Sequence, residues 1–296
     1  MKFRDGMWLP AQDIHSEYAE EVYSVSERKD GKVLSLFCPT KKIRSRSDSL
    51  NLSTLTIVSM PGRGLHFTLC TSPALTLPQD LEAHFDGVIS VEVTHWQGAL
   101  NPGPHFDLYP AGKPEAGDTK VTKSDSSTTL SAGSLSATAK TTNHEFDIRF
   151  HATNGSKELT SLLNRSVGIA YTPWPTNPLQ TGDMRDIHHY IFTQTTLSVG
   201  ESVHGLGERF GAFNKVGQTV TLWNADGGTS SDQAYKNVPL WISSRGYGIF
   251  IDTPDKVELE VGSERSCRVQ TSVEGQRLKW YNCRLSLLLK SSENKT

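Results

Sequence analysis

Apolar and polar residues alternate with a period of two through much of this chain. The clearest case is Val257-Glu258-Leu259-Glu260-Val261, where three aliphatic residues alternate with two carboxylates. The segments Leu65–Cys70 and Val91–Thr94 alternate in the same way. Because successive side chains of a strand point to opposite faces, each segment predicts a strand with one buried face. On this pattern we expect Glu258 and Glu260 to lie on a solvated face.

Turn signals separate many short segments of this kind, among them Asp86-Gly87, Asn154-Gly155 and Thr253-Pro254-Asp255. Helical periodicity is scarce, and only Ser16–Glu21 and Lys157–Leu163 suit a turn or two of helix. Many short strands with frequent turns predict an all-β sandwich or barrel. A chain of 296 residues is long for an immunoglobulin-type sandwich, which favours a larger antiparallel super-sandwich.

Charge and composition exclude several classes of function. The chain has 30 basic and 32 acidic residues, so no overall field attracts nucleic acid or an anionic membrane. No segment reaches the ~18 apolar residues of a membrane span, and no apolar stretch follows Met1–Arg4 as in a secretory signal. We therefore expect a cytoplasmic protein. The cysteines lack metal-ligand spacing, which predicts buried free thiols at Cys38, Cys70, Cys267 and Cys283.

The sequence contains no recognisable catalytic motif. The carboxylates are scattered and form no recognisable acid–base pair, and the adjacent His188-His189 does not have metal-ligand spacing. Gly205-Leu206-Gly207 lacks the third glycine of a dinucleotide-binding turn. We therefore predict no catalytic residue, no cofactor and no metal site in this chain.

The most unusual segment runs from residue 204 to residue 239. Within it Asp226 is followed by Gly227 and Gly228 and preceded by Trp223 and Asn224. Glycine permits backbone turns that can hold a carboxylate out into a cleft. An aromatic face, an amide and a carboxylate are the groups with which proteins hold sugars. The alternative is a turn in which Asp226 caps nearby backbone groups.

This segment resembles glycoside hydrolase family 31, in particular its α-xylosidase branch. The matching stretches are His204–Phe210, Gly217–Val220, Trp223–Thr229, Gln233–Pro239 and Arg245–Gly248, with Met1–Phe3 and His95–His105 earlier in the chain. The resemblance runs collinearly over residues 1–281, which makes it more specific than a single motif. Residues 282–296 show no such similarity, and we expect them to be a divergent tail that is disordered or aberrant.

The resemblance implies a galactose-mutarotase-like β-sandwich over residues 1–281, placed before a (β/α)8 barrel that carries an aspartate nucleophile and an aspartate acid/base. It also implies that a loop of the sandwich helps to bind sugar through an aspartate, which here matches Asp226. Trp223, Asn224, Gly227 and Gly228 are then expected to shape that loop. Glu208 and Arg209 also match the family. Because they are adjacent, we expect them to lie on opposite faces of a strand with separate structural partners.

The predicted function is therefore that of an accessory domain of a retaining α-glycosidase, which hydrolyses O-glycosyl bonds and takes an α-xyloside. The chain by itself is expected to be inactive, and its partner is the barrel. An alternative is a stand-alone carbohydrate-binding or assembly module. A mutarotase-like isomerase ranks last, because fold does not carry function and no His–Glu pair can be placed. An uncovered barrel-facing surface would favour self-association.

Overall fold

The computed structural model describes residues 2–3, 14–28, 32–45, 76–95, 119–142, 145–153, 157–171, 188–226 and 233–285. The described residues form nineteen β-strands. The first nine are β1 His15–Tyr18, β2 Ser24–Arg28, β3 Val33–Pro39, β4 Thr76–Phe85, β5 Val88–Thr94, β6 Thr119–Lys123, β7 Ser127–Ala132, β8 Leu135–Lys140 and β9 Ile148–Ala152. The other ten are β10 Glu158–Leu162, β11 Val167–Tyr171, β12 His189–Thr196, β13 Val203–Gly205, β14 Gln218–Leu222, β15 Leu240–Ser243, β16 Tyr247–Ile251, β17 Val257–Val261, β18 Arg268–Glu274 and β19 Arg277–Arg284.

The strands form three antiparallel sheets. A six-stranded sheet has the order β1-β11-β12-β18-β17-β14, a five-stranded sheet the order β10-β9-β8-β7-β6, and an eight-stranded sheet the order β13-β15-β16-β19-β5-β4-β3-β2. The five-stranded sheet joins the six-stranded sheet where β10 meets the end of β12. There the Thr160 hydroxyl donates to the Thr196 carbonyl at 3.1 Å, and the Ser161 amide donates to Thr196 Oγ1 at 2.9 Å.

The largest hydrophobic core among the described residues lies between the sheets. It includes Leu130 and Phe150 from the five-stranded sheet, Leu259 from the six-stranded sheet, and Ile89 and Trp280 from the eight-stranded sheet. The rings of Phe150 and Trp280 are 5.9 Å apart, so two sheets meet there directly. This packing of sheet on sheet confirms the predicted all-β sandwich.

Cross-strand register explains the burial of β17. Val257 lies between Leu222 of β14 and Val273 of β18, and all three side chains are buried. Directly paired residues of an antiparallel sheet share a face. Each aliphatic residue of β17 therefore points to the same buried face as its partners on β14 and β18. The strands predicted from the alternation over residues 257–261 and 91–94 are confirmed. The segment 65–70 lies outside the described residues.

The solvated face predicted for β17 is wrong at Glu260. Only 1% of this residue is exposed, and its carboxylate accepts hydrogen bonds from Thr219 Oγ1 at 2.6 Å and Ser263 Oγ at 2.7 Å. Thr219 is its cross-strand partner, and Ser263 lies in the turn that follows β17. Glu258 is partly exposed and pairs with Lys256 at 3.0 Å. The turn after the strand covers one carboxylate and leaves the other accessible.

Both segments that suited a helical turn are strands. Residues 15–18 form β1, which pairs with β11, and residues 158–162 form β10, which pairs with β9. A helix of one or two turns is marginal by itself, and pairing with a neighbouring strand supplies backbone hydrogen bonds that a short helix cannot keep. Across the part of the chain that the structure describes, no helix is long and apolar enough to cross a membrane.

Strand β19 extends to Arg284, so its last three residues belong to the predicted tail. Asn282 is buried between Ile249 of β16 and Ile89 of β5, and the Leu285 amide donates to the Gly246 carbonyl at 3.0 Å. Residues 286–296 lie outside the described part.

The cysteines that the structure describes are free thiols. Cys38 is buried, Cys283 is half-buried and Cys267 is exposed, so the expectation of burial is wrong for Cys267, while Cys70 lies outside the described residues. Burial raises the pKa of the Cys283 thiol to about 11.

Candidate functional site

Residues 204–239, called the lip from here on, connect the edges of two sheets. The lip begins in β13, an edge strand of the eight-stranded sheet, and contains β14, an edge strand of the six-stranded sheet. It returns to the eight-stranded sheet where β15 begins at Leu240. The described irregular residues of the lip, 206–217, 223–226 and 233–239, therefore adjoin the edges of both sheets.

The backbone at the start of the lip adopts three consecutive left-handed conformations. Gly205, Leu206 and Gly207 have φ angles of +110°, +70° and +85°. The Leu206 amide donates to the Leu240 carbonyl at 2.9 Å, and the next turn brings Gly207 against Lys236. A Cβ atom at Gly207 would lie 2.0 Å from the Lys236 carbonyl oxygen. The two halves of the lip thus touch through backbone at a position that only glycine fits.

A network of polar side chains clamps the lip together. The Arg209 guanidinium donates to Asn237 Oδ1 and, at 2.8 Å, to the Thr221 carbonyl. Asn237 Nδ2 in turn donates to Asn224 Oδ1 at 2.9 Å and to the Ala234 carbonyl at 2.8 Å. Asn224 is therefore held in place by a residue 13 positions later in the chain.

Glu208 and Arg209 have separate partners, as the sequence predicts, but they do not lie on a strand. Strand β13 ends at Gly205, and both residues lie outside any strand. Glu208 forms an exposed ion pair with Lys236 at 3.0 Å. The prediction of opposite strand faces is therefore wrong, because the left-handed turn at Leu206 has already ended the strand.

Asp226 lies where the second irregular segment leaves β14. Asn224 and Ala234 form an isolated parallel bridge, and the Ala225 amide donates to the Ala234 carbonyl at 3.2 Å. Asp226 follows this bridge and is exposed. Among the described residues no hydrogen bond or ion pair engages its carboxylate. Gly227 and Gly228 lie outside the described residues.

Beside the lip is an open hollow with a volume of about 280 Å³. It is lined by Trp223, Asn224, Asn237 and Pro239 of the lip, by Thr253, Pro254 and Asp255 of the turn between β16 and β17, and by Leu222 and Val257. The Trp223 residue is 56% exposed. The sequence had marked residues 253–255 only as a turn, and nothing in it placed that turn beside Trp223.

The lip also carries most of the large apolar side chains that the described residues expose. They include Phe210, Phe213, Tyr235 and Val238. Exposed apolar residues that gather in one region mark a surface for interaction. Lys215 lies among them with its ammonium group donating to the Ala212 carbonyl at 2.8 Å, and burial, with the nearby charge of Arg209, lowers its pKa.

No group of three or more His, Cys, Asp or Glu side chains in the described part of the chain is arranged to hold a metal ion. The groups that the lip assembles are instead an aromatic face, amides and carboxylates. This donor and acceptor set suits neutral, hydroxyl-rich ligands.

Comparison with known proteins assigns the fold to a class of carbohydrate-active proteins. Residues 78–260 match the glycosyl hydrolase 31 N-terminal galactose mutarotase-like domain. The chain therefore belongs to glycosyl hydrolase family 31, which confirms the resemblance seen in the sequence. The matched range includes the whole lip, the hollow and Asp226.

Its relatives include two α-xylosidases. The α-xylosidase of Emericella nidulans is 37% identical over 289 residues, which cover 95% of this chain and 33% of that protein. The α-xylosidase XylQ of Lactiplantibacillus pentosus is 34% identical over 282 residues, covering 95% of this chain and 31% of that protein. The chain thus spans about a third of the length of these relatives.

Among solved structures, the cycloalternan-forming enzyme of Listeria monocytogenes, determined in complex with a pentasaccharide substrate, has the same fold. It aligns with a TM-score of 0.62 at 14% sequence identity, over 92% of this chain and 21% of that one.

Proposed function

We propose that this chain is the N-terminal accessory domain of a retaining α-xylosidase, in which the lip forms part of the wall that binds the sugar. The observation that carries the proposal is the exposed carboxylate of Asp226, held at the end of a segment that the Arg209–Asn237 clamp keeps in place. The two α-xylosidase relatives, which align with 95% of the chain, support this substrate class.

The chemistry of the reaction assigns catalysis and sugar binding to different domains. Retention of configuration needs two carboxyl groups about 5 Å apart, one as nucleophile and one as acid/base. The proposal places both on a (β/α)8 barrel, whose active site lies at the end where neighbouring loops can reach it. Asp226 then binds rather than reacts. A carboxylate accepts charge-assisted hydrogen bonds from sugar hydroxyls, and side chains that are already held in place lose little entropy on binding.

In the protein that contains the barrel, Asp226→Ala is expected to lower kcat/KM for an aryl α-xyloside about ten- to hundredfold, the loss for one or two hydrogen bonds to a charged group. Thermal stability should stay unchanged because Asp226 is exposed. Glu208→Ala is the matched control, since it removes another exposed carboxylate of the lip. Steady-state kinetics measure the effect. Equal values of kcat/KM for Asp226→Ala and the unaltered protein would refute the role of Asp226.

We also propose that the exposed side chains of Phe210, Phe213 and Tyr235 pack against the rest of the protein. The 296-residue chain alone is then expected to self-associate, because that apolar surface is left in water. Sedimentation velocity should show species larger than a monomer, and Phe210→Ser with Phe213→Ser should reduce them. Tyr23→Ser, which changes an exposed aromatic residue outside the lip, should not. A monodisperse monomer would contradict this prediction.

A further inference from the structure

We propose that strand β1 is a proton-operated latch, which stays docked on β11 at neutral pH and is released when histidines at one end of the sandwich gain protons. These histidines, called the histidine end from here on, are His15, His95, His188 and His189. Three features support the latch: the imidazoles gather from two sheets, one of them is enclosed, and a short edge strand closes over it.

Strands from two sheets bring the histidine end together. His15 begins β1, His189 begins β12, and Tyr171 ends β11 between them. The Tyr171 ring lies 5.7 Å from the His15 ring and 6.1 Å from the His189 ring. His95 follows β5 of the eight-stranded sheet, where its backbone amide donates to the Gln276 carbonyl at 2.8 Å. The imidazoles are therefore neighbours in the fold although they lie far apart in the sequence.

His95 is the enclosed member of the histidine end. It is half-buried, whereas His15, His188 and His189 are exposed, and its Nδ1 atom donates to Gln276 Oε1. Burial is the largest influence on the pKa of His95 and lowers it. The charge of His189 lowers the pKa further, and the bond to Gln276 with the nearby Glu17 carboxylate offsets only part of the shift. At neutral pH the His95 imidazole is therefore uncharged.

Glu17 is the carboxylate among the described residues that acts on His95. It lies on β1 two residues after His15, so both side chains point to the same face of the strand. Its Oε2 atom accepts from Thr40 Oγ1 at 3.2 Å, and the Tyr171 hydroxyl lies 3.5 Å from Oε1. These contacts hold the carboxylate beside β1, so a single negative charge faces several imidazoles.

The other charged groups at this end lie on the outer faces of the two sheets. Glu274 of β18 pairs with His188 at 2.6 Å, and Glu92 of β5 pairs with Arg277 of β19 at 2.7 Å. Each of these carboxylates already has a cation as its partner. A proton gained by His95 is therefore left with Glu17 as its counter-charge.

Strand β1 is the element that protonation releases. It is an edge strand of four residues that pairs only with β11 among the described strands. A Cβ atom added to Gly168 of β11 would lie 2.2 Å from the Glu17 carbonyl oxygen, so the two backbones are in close contact. The Tyr18 ring packs edge-on against Phe192 at 5.6 Å on the opposite face. Such a close fit leaves little room for partial movement, and short edge elements open more easily than the core.

The direction of the effect follows from proton binding. While β1 is docked, the pKa of His95 lies below its ordinary value of about 6.5, and release into water restores that value. The released state therefore binds more protons, and acid favours it. Docking should not depend on pH above about 7.5 and should weaken as the pH falls below about 6.5. The exposed histidines gain charge over the same interval and repel a protonated His95.

Hydrogen exchange of the 296-residue chain at about pH 7.5 and about pH 5.5 tests the latch. The reporter is the Ala19 amide, which follows β1 and donates to the Val167 carbonyl at 2.9 Å. The reference is the Leu197 amide, which follows the other end of β12 and donates to the Cys267 carbonyl at 2.7 Å. After correction for intrinsic exchange rates, protection of Ala19 should fall roughly three- to tenfold in acid, and that of Leu197 should change less than about twofold.

His95→Gln should remove most of this loss, because glutamine keeps a donor for Gln276 but cannot gain a proton. His151→Gln, which replaces a histidine of β9 in the five-stranded sheet, is the matched control and should respond to pH like the unaltered chain. NMR titration of His95 in the unaltered chain is a second readout that needs no variant. The pKa should lie below about 6.5 and should rise in His189→Gln.

Protection of Ala19 that does not change with pH would overturn the latch. Equal pH dependence in His95→Gln and the unaltered chain would do the same, as would a pKa of His95 at or above about 6.5. A parallel loss of protection at Leu197 would also overturn it, because the whole sandwich rather than β1 would then be opening.

Discussion

Gly207→Ala is expected to destabilise the protein by about 2–5 kcal/mol, the sum of a left-handed backbone penalty and of overpacking against a fixed neighbour. Gly207 has a φ of +85°, and its added Cβ would lie 2.0 Å from the Lys236 carbonyl oxygen and 2.8 Å from the Val238 amide nitrogen. Both atoms belong to backbone, so no rotation of a side chain can relieve the contact. The two halves of the lip must therefore separate, which would also break the hydrogen bond between Arg209 and Asn237.

Gly217→Ala is the matched control for this experiment. Its φ of +86° is almost the same, but no described atom lies within 4 Å of the added Cβ. It is expected to cost only the conformational penalty of about 1–2 kcal/mol. Urea unfolding gives the global free energies, and hydrogen exchange at the amide of Glu208, which donates to the Lys236 carbonyl at 3.1 Å, shows whether the lip opens locally. Equal losses in the two variants, with equal exchange at Glu208, would show that the contact with Lys236 does not hold the lip.

Glu201→Ala is expected to destabilise the sandwich by about 3 kcal/mol or more, since each buried donor left without a partner costs about 1–3 kcal/mol. Glu201 is 7% exposed and precedes β13. Its carboxylate accepts from the Ser243 hydroxyl, from the Tyr247 hydroxyl at 2.9 Å and from the Ser198 amide at 2.8 Å. Burial and the charge of Glu201 raise the pKa of Tyr247, so the phenol stays a donor.

Unfolding in denaturant at constant m-value measures this loss. Glu201→Gln, which keeps the shape and one acceptor oxygen, should restore part of the stability. Glu274→Ala is the exposed control: it removes a carboxylate whose side chain is 58% exposed and paired with His188, and surface pairs of this kind contribute about 0–1 kcal/mol. A Glu201→Ala variant as stable as Glu274→Ala would mean that the three donors find other partners.

The sequence was a good guide wherever burial follows local alternation. The period of two over residues 257–261 and 91–94 predicted β17 and β5, because a strand with one face in the core needs that pattern. The same logic failed for Glu260, whose burial depends on the turn at Ser263. It also failed for residues 16–21 and 157–163, where pairing with distant strands overrides a weak helical preference.

For the candidate site, too, the sequence predicted one part and the tertiary structure supplied the rest. Asp226, Trp223 and Asn224 are neighbours in sequence, so their residue types alone marked a segment that suits sugar binding. The clamp joins Arg209 to Asn237, which lie 28 residues apart, and the turn at residues 253–255 completes the hollow. No pattern along the chain shows contacts of this kind.

The sequence by itself thus determined the fold class, the family and the segment that carries the candidate site, because these depend on local periodicity and on stretches of matching residues. Only the tertiary structure decided which side chains meet around that segment and which stay exposed. The physical reason is that antiparallel pairing joins strands far apart in the chain, such as β5 with β19 and β14 with β17. The loops between them therefore take their neighbours from the sheet order rather than from the sequence.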